Sequence, residues 1–183
     1  MHLAPQLEAW SGVAPRAGSG AEVPMICENE AMTERQHGAI TVRDGRPDDV
    51  SAVMAIDTAV TGLEKADYWT KLFDGAGALA GEKRYFIVAE DGGRVIGFVI
   101  GEVRAWEFGS PPCGWIFAIS IDPASRQQGI GSLMMEALCD RFGATGVTHV
   151  RTMISRDNHL LMSFFRNHGM MAGPYIQLEM ELA

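Results

Sequence analysis

The stretch Ile119-Ser120-Ile121-Asp122-Pro123-Ala124-Ser125-Arg126-Gln127-Gln128-Gly129-Ile130-Gly131-Ser132 decides the fold. It begins at the end of an apolar run, Trp115 to Ile121, that reads as a central strand covered on both faces. Asp122-Pro123 ends the strand, and from Gly129 the period changes. Ile130, Leu133, Met134, Ala137, Leu138 and Phe142 fall at helical spacing, with Glu136, Asp140 and Arg141 on other faces. That pattern predicts an amphipathic helix of about fifteen residues. A strand therefore feeds a Gly-x-Gly loop that opens a helix. The first amides of a helix lack intrahelical partners and sit at the positive end of its dipole. Gly129 and Gly131 remove side chains that would keep a ligand away, so the junction suits a phosphate or pyrophosphate. Arg126 adds a full charge, and Gln127 and Gln128 add donors. The same glycines also suit a tight strand-to-helix junction, and Gly-x-Gly alone does not separate the two roles. A dinucleotide fingerprint is excluded because Met134 stands where its third glycine belongs, and no Gly-Lys-Ser or Gly-Lys-Thr follows to make a nucleotide P-loop.

Upstream, Ile40 to Arg43 reads as a short strand, and Pro47-Asp48-Asp49 opens a helix running to about Asp57 with Val50, Val53, Met54 and Ile56 on its apolar face. A second helix spans Glu64 to Phe73. Tyr85 to Ala89 and Val95 to Val103, joined by Asp91-Gly92-Gly93, form a hairpin, and Trp106 to Cys113 is a loop. Downstream, Val147 to Ile154 is a strand, and Asp157 or Asn158 caps a helix to about Asn167 that Gly169 stops. Ile176, Leu178, Met180 and Leu182 alternate with Gln177, Glu179 and Glu181, as in a half-exposed terminal strand. The hairpin demands antiparallel pairing, and the strand–helix–strand unit from 115 to 154 demands a parallel pair. The fold class is α/β with a mixed sheet.

The chain has 183 residues, and the composition divides it into a Gly- and Pro-bearing extension at 1–39 and one domain at 40–183. Met25 and Met32 leave the natural start open. Apolar residues make up 47%, enough for a sizeable core. The net charge of −8 argues against nucleic acid, whose binding needs Lys and Arg to neutralise phosphates. No apolar run approaches the ~20 residues of a membrane span, so no membrane partner is expected. Cys27, Cys113 and Cys139 are an odd set without metal-ligand spacing, which points to reduced thiols, a cytoplasmic setting and no metal site.

The string strand, Asp-Pro, Arg-x-x-Gly-x-Gly (Arg126, Gly129, Gly131), long helix resembles the GNAT superfamily of acyl-CoA N-acyltransferases. The resemblance covers about residues 40–183 and extends to Asn158, the Phe164-Phe165 pair and Gly169-Met170. It implies a mostly antiparallel sheet, flanked by helices, whose central parallel strands splay apart around the cofactor. It further implies that Arg126, Gln127, Gln128, Gly129, Ile130, Gly131 and Ser132 hold the CoA pyrophosphate. Ile119, Ser120 and Ile121 would pair with the pantetheine amides as in strand addition, and an amide near Ile121 would polarise the thioester. Asn158 and Phe165 would border the pantetheine arm.

Two departures stand out. Phe165 occupies the place of a family Tyr that protonates the leaving thiolate, and Phe117 and Ala118 occupy the place of a family Glu that acts as base. Glu107 and Glu102 are the candidate displaced bases and Tyr175 the candidate acid. The resemblance implies acetyl-CoA-dependent transfer to a primary amine, on a small molecule, a protein lysine or a protein N-terminus, with homodimerisation open. The alternative is a non-catalytic acyl-CoA sensor that kept the cleft and lost the chemistry.

Overall fold

A computed structural model describes residues 35–73, 83–105 and 109–182. Its strands are β1 (Arg35–His37), β2 (Ile40–Asp44), β3 (Arg84–Asp91), β4 (Arg94–Arg104), β5 (Cys113–Ile121) and β6 (Val150–Thr152). Its helices are α1 (Val50–Thr61), α2 (Ala66–Phe73), α3 (Ile130–Gly143) and α4 (His159–Asn167). The strands form one sheet in the order β1-β2-β3-β4-β5-β6. Every neighbouring pair is antiparallel except β5 and β6, which are parallel. The expected mixed, mostly antiparallel α/β architecture is present.

Local chemistry explains the element ends. Gly92 and Gly93 both have positive φ, the geometry of a tight hairpin turn whose twist matches the strands it joins. Gly62 caps α1 in the left-handed region, so the helix runs four residues beyond Asp57. At the other end, Pro47–Asp49 forms a single 3-10 turn rather than the start of α1. Asp49 is spent on the sheet: its carboxylate takes Arg43 Nη1 at 2.7 Å and Nη2 at 3.0 Å, and the Arg46 amide at 2.7 Å. Glu90 closes the far side of the same guanidinium at 2.7 Å, which ties β2, β3 and the entry to α1 together.

Side chains from the two faces of the sheet form two cores. One joins Ile87, Val99, Ile116, Met134, Leu138, Phe142 and Phe165, under α3 and α4. The other joins Val53, Ile56, Trp69, Val88, Phe98 and Ile100, under α1 and α2. The Phe142 ring needs the absence of two side chains, because a Cβ on Gly114 would lie 2.4 Å from its Cδ2 and one on Gly101 2.6 Å from its Cζ.

Three expectations change. The sheet starts at Arg35, because β1 pairs with β2 inside the range that composition assigns to the extension. The strand expected over Val147 to Ile154 is confined to Val150–Thr152. The strand expected over Ile176 to Leu182 is not formed, and Ile176, Leu178, Met180 and Leu182 are 84%, 85%, 78% and 80% exposed. Alternation marks two faces of a segment but supplies no partner for its backbone.

Candidate acyl-CoA and acceptor site

The site begins where β5 and β6 part. Their pairing runs only from Gly114 opposite Val150 to Ile116 opposite Thr152, and Thr152 Oγ1 donates to the Ile116 carbonyl at 2.9 Å. Beyond Ile116 the β6-facing edge of β5 has no strand against it among the described residues. A bulge sits at the same point. Ile100 of β4 pairs with Ala118 and Gly101 with Ile116, so Phe117 is an extra residue on β5. Consequently Phe117 and Ala118, adjacent in sequence, both pack toward α1 and α2, while Ile119 and Ile121 pack toward α3. The bulge also switches which backbone groups face the gap. Below it, the Gly114 amide donates to His149 across the β6 side; above it, the Asp122 amide donates to Ile96 on β4 at 2.8 Å. By alternation along the strand, Ile119 and Ile121 present their amides and carbonyls to the open edge, and Ser120 faces β4.

At the end of this edge lies the loop into α3. Gln127 has φ +68° and Gly129 φ +73°, so two left-handed residues flank Gln128. A non-glycine residue in this region costs about 1–2 kcal/mol and persists where its surroundings enforce it. The amides of Gln127, Gln128, Gly129, Ile130 and Gly131 donate no hydrogen bond among the described residues, whereas those of Ser132 and Leu133 both turn back to the Gly129 carbonyl. Five consecutive donors at a helix start make an anion cradle. Arg126, Gln127 and Gln128 are exposed beside it, Ile130 is buried beneath it, and Ser132 is half-buried on the first turn.

The two glycines divide the roles that spacing alone left joined. Nothing lies within 4 Å of a Cβ on Gly129, so that residue serves backbone conformation and open access. A Cβ on Gly131 would meet Phe164 Cε2 at 2.9 Å and Ile121 Cδ1 at 3.3 Å, so Gly131 lets α4 close onto α3. Asn158 caps α4 by accepting the Leu161 amide on Oδ1 at 3.1 Å. Its Nδ2 makes no hydrogen bond among the described residues. Phe165 turns into the core, 3% exposed, and its neighbour Phe164 is the ring that lies against the loop.

The candidate acid and bases separate. Glu102 is buried, with Oε2 accepting from Arg84 Nε and Nη2 and Oε1 accepting from Arg104 Nε at 2.9 Å. It is an ion-pair anchor whose two oxygens are both engaged. Glu107 lies outside the described residues. Tyr175 is exposed and sits over Arg151, 4.4 Å from guanidinium to ring centre, on the β6 side of the sheet. Burial pushes the Cys139 thiol up, with Glu136 adding to the effect, so it stays protonated and suits packing.

A cleft of about 300 Å³ opens beside the bulge. Phe117, Ala118, Ile119 and Ser120 form one wall, and Asp57, Thr61, Lys65, Tyr68 and Trp69 form the other. Asp57 is 4% exposed, yet it lies on a helix face otherwise made of Val53 and Ile56. Its Oδ2 accepts Trp69 Nε1 at 2.9 Å and pairs with Lys65 Nζ at 2.8 Å. Burial pushes the Tyr68 phenol above its ordinary value, so it remains a hydroxyl at neutral pH. This wall falls within residues 57–82, a stretch of loop and variable helix where the sequence places acceptor specificity, but Asp57 and Lys65 do not stand out in it individually. A signal for Asp57 was present: an acid one residue after Ile56 and four after Val53 falls on the apolar stripe of α1, where a carboxylate needs a reason.

Among the described residues no helix is long and apolar enough to cross a membrane. Residues 52–170 match the family described as the acetyltransferase (GNAT) family. An L-2,4-diaminobutyric acid acetyltransferase of Nocardia farcinica (strain IFM 10152) is 37% identical over 79 residues, a match covering 43% of this chain and 39% of the relative. Among solved structures, the aminoglycoside N-acetyltransferase AAC(6')-Iy in complex with CoA is similar with a TM-score of 0.67 at 14% identity, over 82% of this chain and 97% of that one. A ribosomal-protein-alanine N-acetyltransferase from Brucella melitensis biovar Abortus 2308 is similar with a TM-score of 0.64 at 14% identity, over 79% and 100%. The splayed strand pair, the amide cradle at the start of α3 and the match over residues 52–170 converge, and the chain belongs to the acetyltransferase (GNAT) family, whose enzymes take their acetyl group from acetyl-CoA.

Proposed function

We propose that this protein is an acetyl-CoA-dependent N-acetyltransferase that transfers directly to a primary amine on a small molecule. The observation that carries the reading is the continuity of the open β5 edge with the five-amide cradle. Together they fit an extended ligand with amides along one arm and a pyrophosphate at its end. The loop amides from Gln127 to Gly131, with Arg126, hold the diphosphate, and Ile119 and Ile121 pair with the arm. When bound, acetyl-CoA supplies the acetyl group as a thioester. An edge amide of the Ile119–Ile121 stretch that the arm does not use donates to the thioester carbonyl oxygen as negative charge grows there, an interaction typically worth ~3–4 kcal/mol. The acceptor nitrogen must be neutral to attack, and a primary amine of the lysine type has a pKa of ~10.4. The half-closed cleft lowers that value by desolvation, and Glu107 is the carboxylate we assign to take the proton, since Glu102 is engaged by two guanidinium groups. The small-molecule acceptor is supported by the size of the cleft and by the names of the diaminobutyrate and aminoglycoside relatives.

The test is thiol release from acetyl-CoA across a panel of small amines and amine-bearing peptides, with CoA affinity measured in parallel by calorimetry. Turnover on small amines, lowered by Glu107→Gln without change in CoA affinity, is the expected result. Tight CoA binding with no turnover on any amine refutes the reading in favour of an acyl-CoA sensor, a role that Phe117, Ala118 and Phe165 would suit.

A further inference from the structure

We infer that the Asp57–Lys65 pair is a binding site for the α-ammonium and α-carboxylate of an amino acid, so that the acceptor is an amino acid carrying a second, side-chain amine. The inference rests on the acetyltransferase reading for the fate of that second amine. Asp57 is buried, with a side chain only 6% exposed, but its hydrogen bonding is one-sided. Oδ2 takes both Trp69 Nε1 and Lys65 Nζ, and Oδ1 has no partner among the described residues. Asp57 lines the cleft, and a carboxylate oxygen without a protein partner there is suited to an incoming cation. Lys65 brings the opposite charge to the same cleft from a side chain 35% exposed, held among the described residues by Asp57 and by the Trp69 ring at 5.8 Å.

A half-exposed ion pair is weakly held. A ligand presenting the complementary pair, ammonium to Asp57 Oδ1 and carboxylate to Lys65 Nζ, extends it without leaving a charge alone. The opposite wall of the cleft is Phe117, Ala118, Ile119 and Ser120, at the mouth of the open β5 edge. That wall offers hydrocarbon and backbone and no side-chain charge. An amino acid anchored on the helix side therefore directs its uncharged stem, and the amine at the end of it, toward the strand where the thioester is held. Simple diamines lack the carboxylate, and ω-amino acids without an α-amine lack the cation, so each leaves one member of the pair unanswered. The match to an L-2,4-diaminobutyric acid acetyltransferase is consistent with this class.

Three acceptors separate the contributions: L-2,4-diaminobutyrate, 1,3-diaminopropane (carboxylate removed) and 4-aminobutyrate (α-amine removed). The full-length protein is expected to show kcat/KM at least about tenfold higher for the diamino acid than for either analogue. Lys65→Gln should erase the advantage over 1,3-diaminopropane by raising KM for the diamino acid at least about tenfold, with kcat for it the less affected parameter. Asp57→Asn, which keeps an acceptor for Trp69, should erase the advantage over 4-aminobutyrate, with tryptophan fluorescence reporting that the helix pair is intact. Equal efficiency on all three acceptors, or a Lys65→Gln variant that slows all three alike, overturns the assignment and leaves the acetyltransferase reading standing. Calorimetry on the CoA-bound protein makes the two separable in the other direction. Binding of the diamino acid that Lys65→Gln abolishes supports the site even without turnover, which would refute the acetyltransferase reading alone. No binding and no turnover overturns both.

Discussion

Gly129→Glu is the sharpest perturbation of the cofactor cradle, because the structure lets its two costs be separated. At φ +73° any side chain carries left-handed strain of about 1–2 kcal/mol, and no heavy atom within 4 Å of the added Cβ contributes a clash. For a domain of this size that strain lowers Tm by about 2–8 °C. Gly129→Ala bears the same cost without the charge and serves as the reference. The glutamate adds a negative charge beside the five amides. Against a diphosphate carrying about two charges at a separation of about 6 Å, the repulsion is about 1.4 kcal/mol at the dielectric of water and about four times that at an effective value of 20. CoA affinity should therefore fall at least about tenfold relative to Gly129→Ala, and the deficit should narrow as salt rises toward a Debye length of ~3 Å at 1 M. Isothermal titration of CoA into both variants, with Tm measured on each, is the assay. A glutamate variant that matches the alanine variant in both Tm and CoA affinity refutes the placement of the diphosphate at this loop.

Three further outcomes are expected. Gly114→Ala drives a Cβ into the Phe142 ring, which Gly101 and Tyr85 confine from other sides, and should cost about 2–3 kcal/mol by urea unfolding, with partial recovery in the Gly114→Ala/Phe142→Leu double variant. Asp49→Ala leaves Arg43 buried with half its partners and should cost about 3–5 kcal/mol at pH 7. Burial opposes ionisation of Asp49, but hydrogen bonds from Arg43 and the Arg46 amide outweigh it and hold the carboxyl below its ordinary value. Its contribution is thus complete above pH ~4 and is lost as pH falls through the depressed value, so the gap between wild type and variant should close in acid unfolding titrations. Asn158→Ala removes the α4 cap and, on the cofactor placement proposed above, a donor that would face the pantetheine arm; it should lower stability by about 1 kcal/mol and weaken CoA binding while leaving the acceptor KM unchanged.

The elements most legible in the sequence were those whose signals are local. The spacing of Ile130 through Phe142 defined α3, Gly92-Gly93 defined the hairpin, and Asn158 with Gly169 bracketed α4. What escaped depends on partners distant in the chain. β1 is the exception: its partner β2 starts three residues after it ends, and it escaped because three residues are too few to show a period, whereas Ile176 to Leu182 stays unpaired although its alternation is cleaner. The bulge at Phe117 was invisible because an apolar run reads the same with or without an extra residue, yet it decides which side chains reach the cleft. For the site, the cradle residues were readable from the Gly-x-Gly junction. The stretch proposed for the acceptor, 57–82, was readable as a region, but the contacts among Asp57, Lys65 and Trp69 were not, since they meet only after α1 and α2 fold against each other. The chemistry of Glu102 was likewise hidden, because its charge is answered from Arg84, eighteen residues away on the neighbouring strand.

The opening between β5 and β6 begins where their pairing ends at Ile116 and Thr152, beside the one residue inserted into β5 against β4. A binding surface specified in backbone is nearly neutral to substitution: most changes along Ile119 to Ile121 that keep a strand keep the surface. The fold that carries it is shared with a chain as divergent as the 14% identity that accompanies a TM-score of 0.67. The facing half, written in the side chains of α1 and α2, has no such insulation, and on the acceptor placement proposed above a substitution there would change the list of acceptable amines. The proposed placement thus sets a half specified in backbone against a half specified in side chains, across a single cleft.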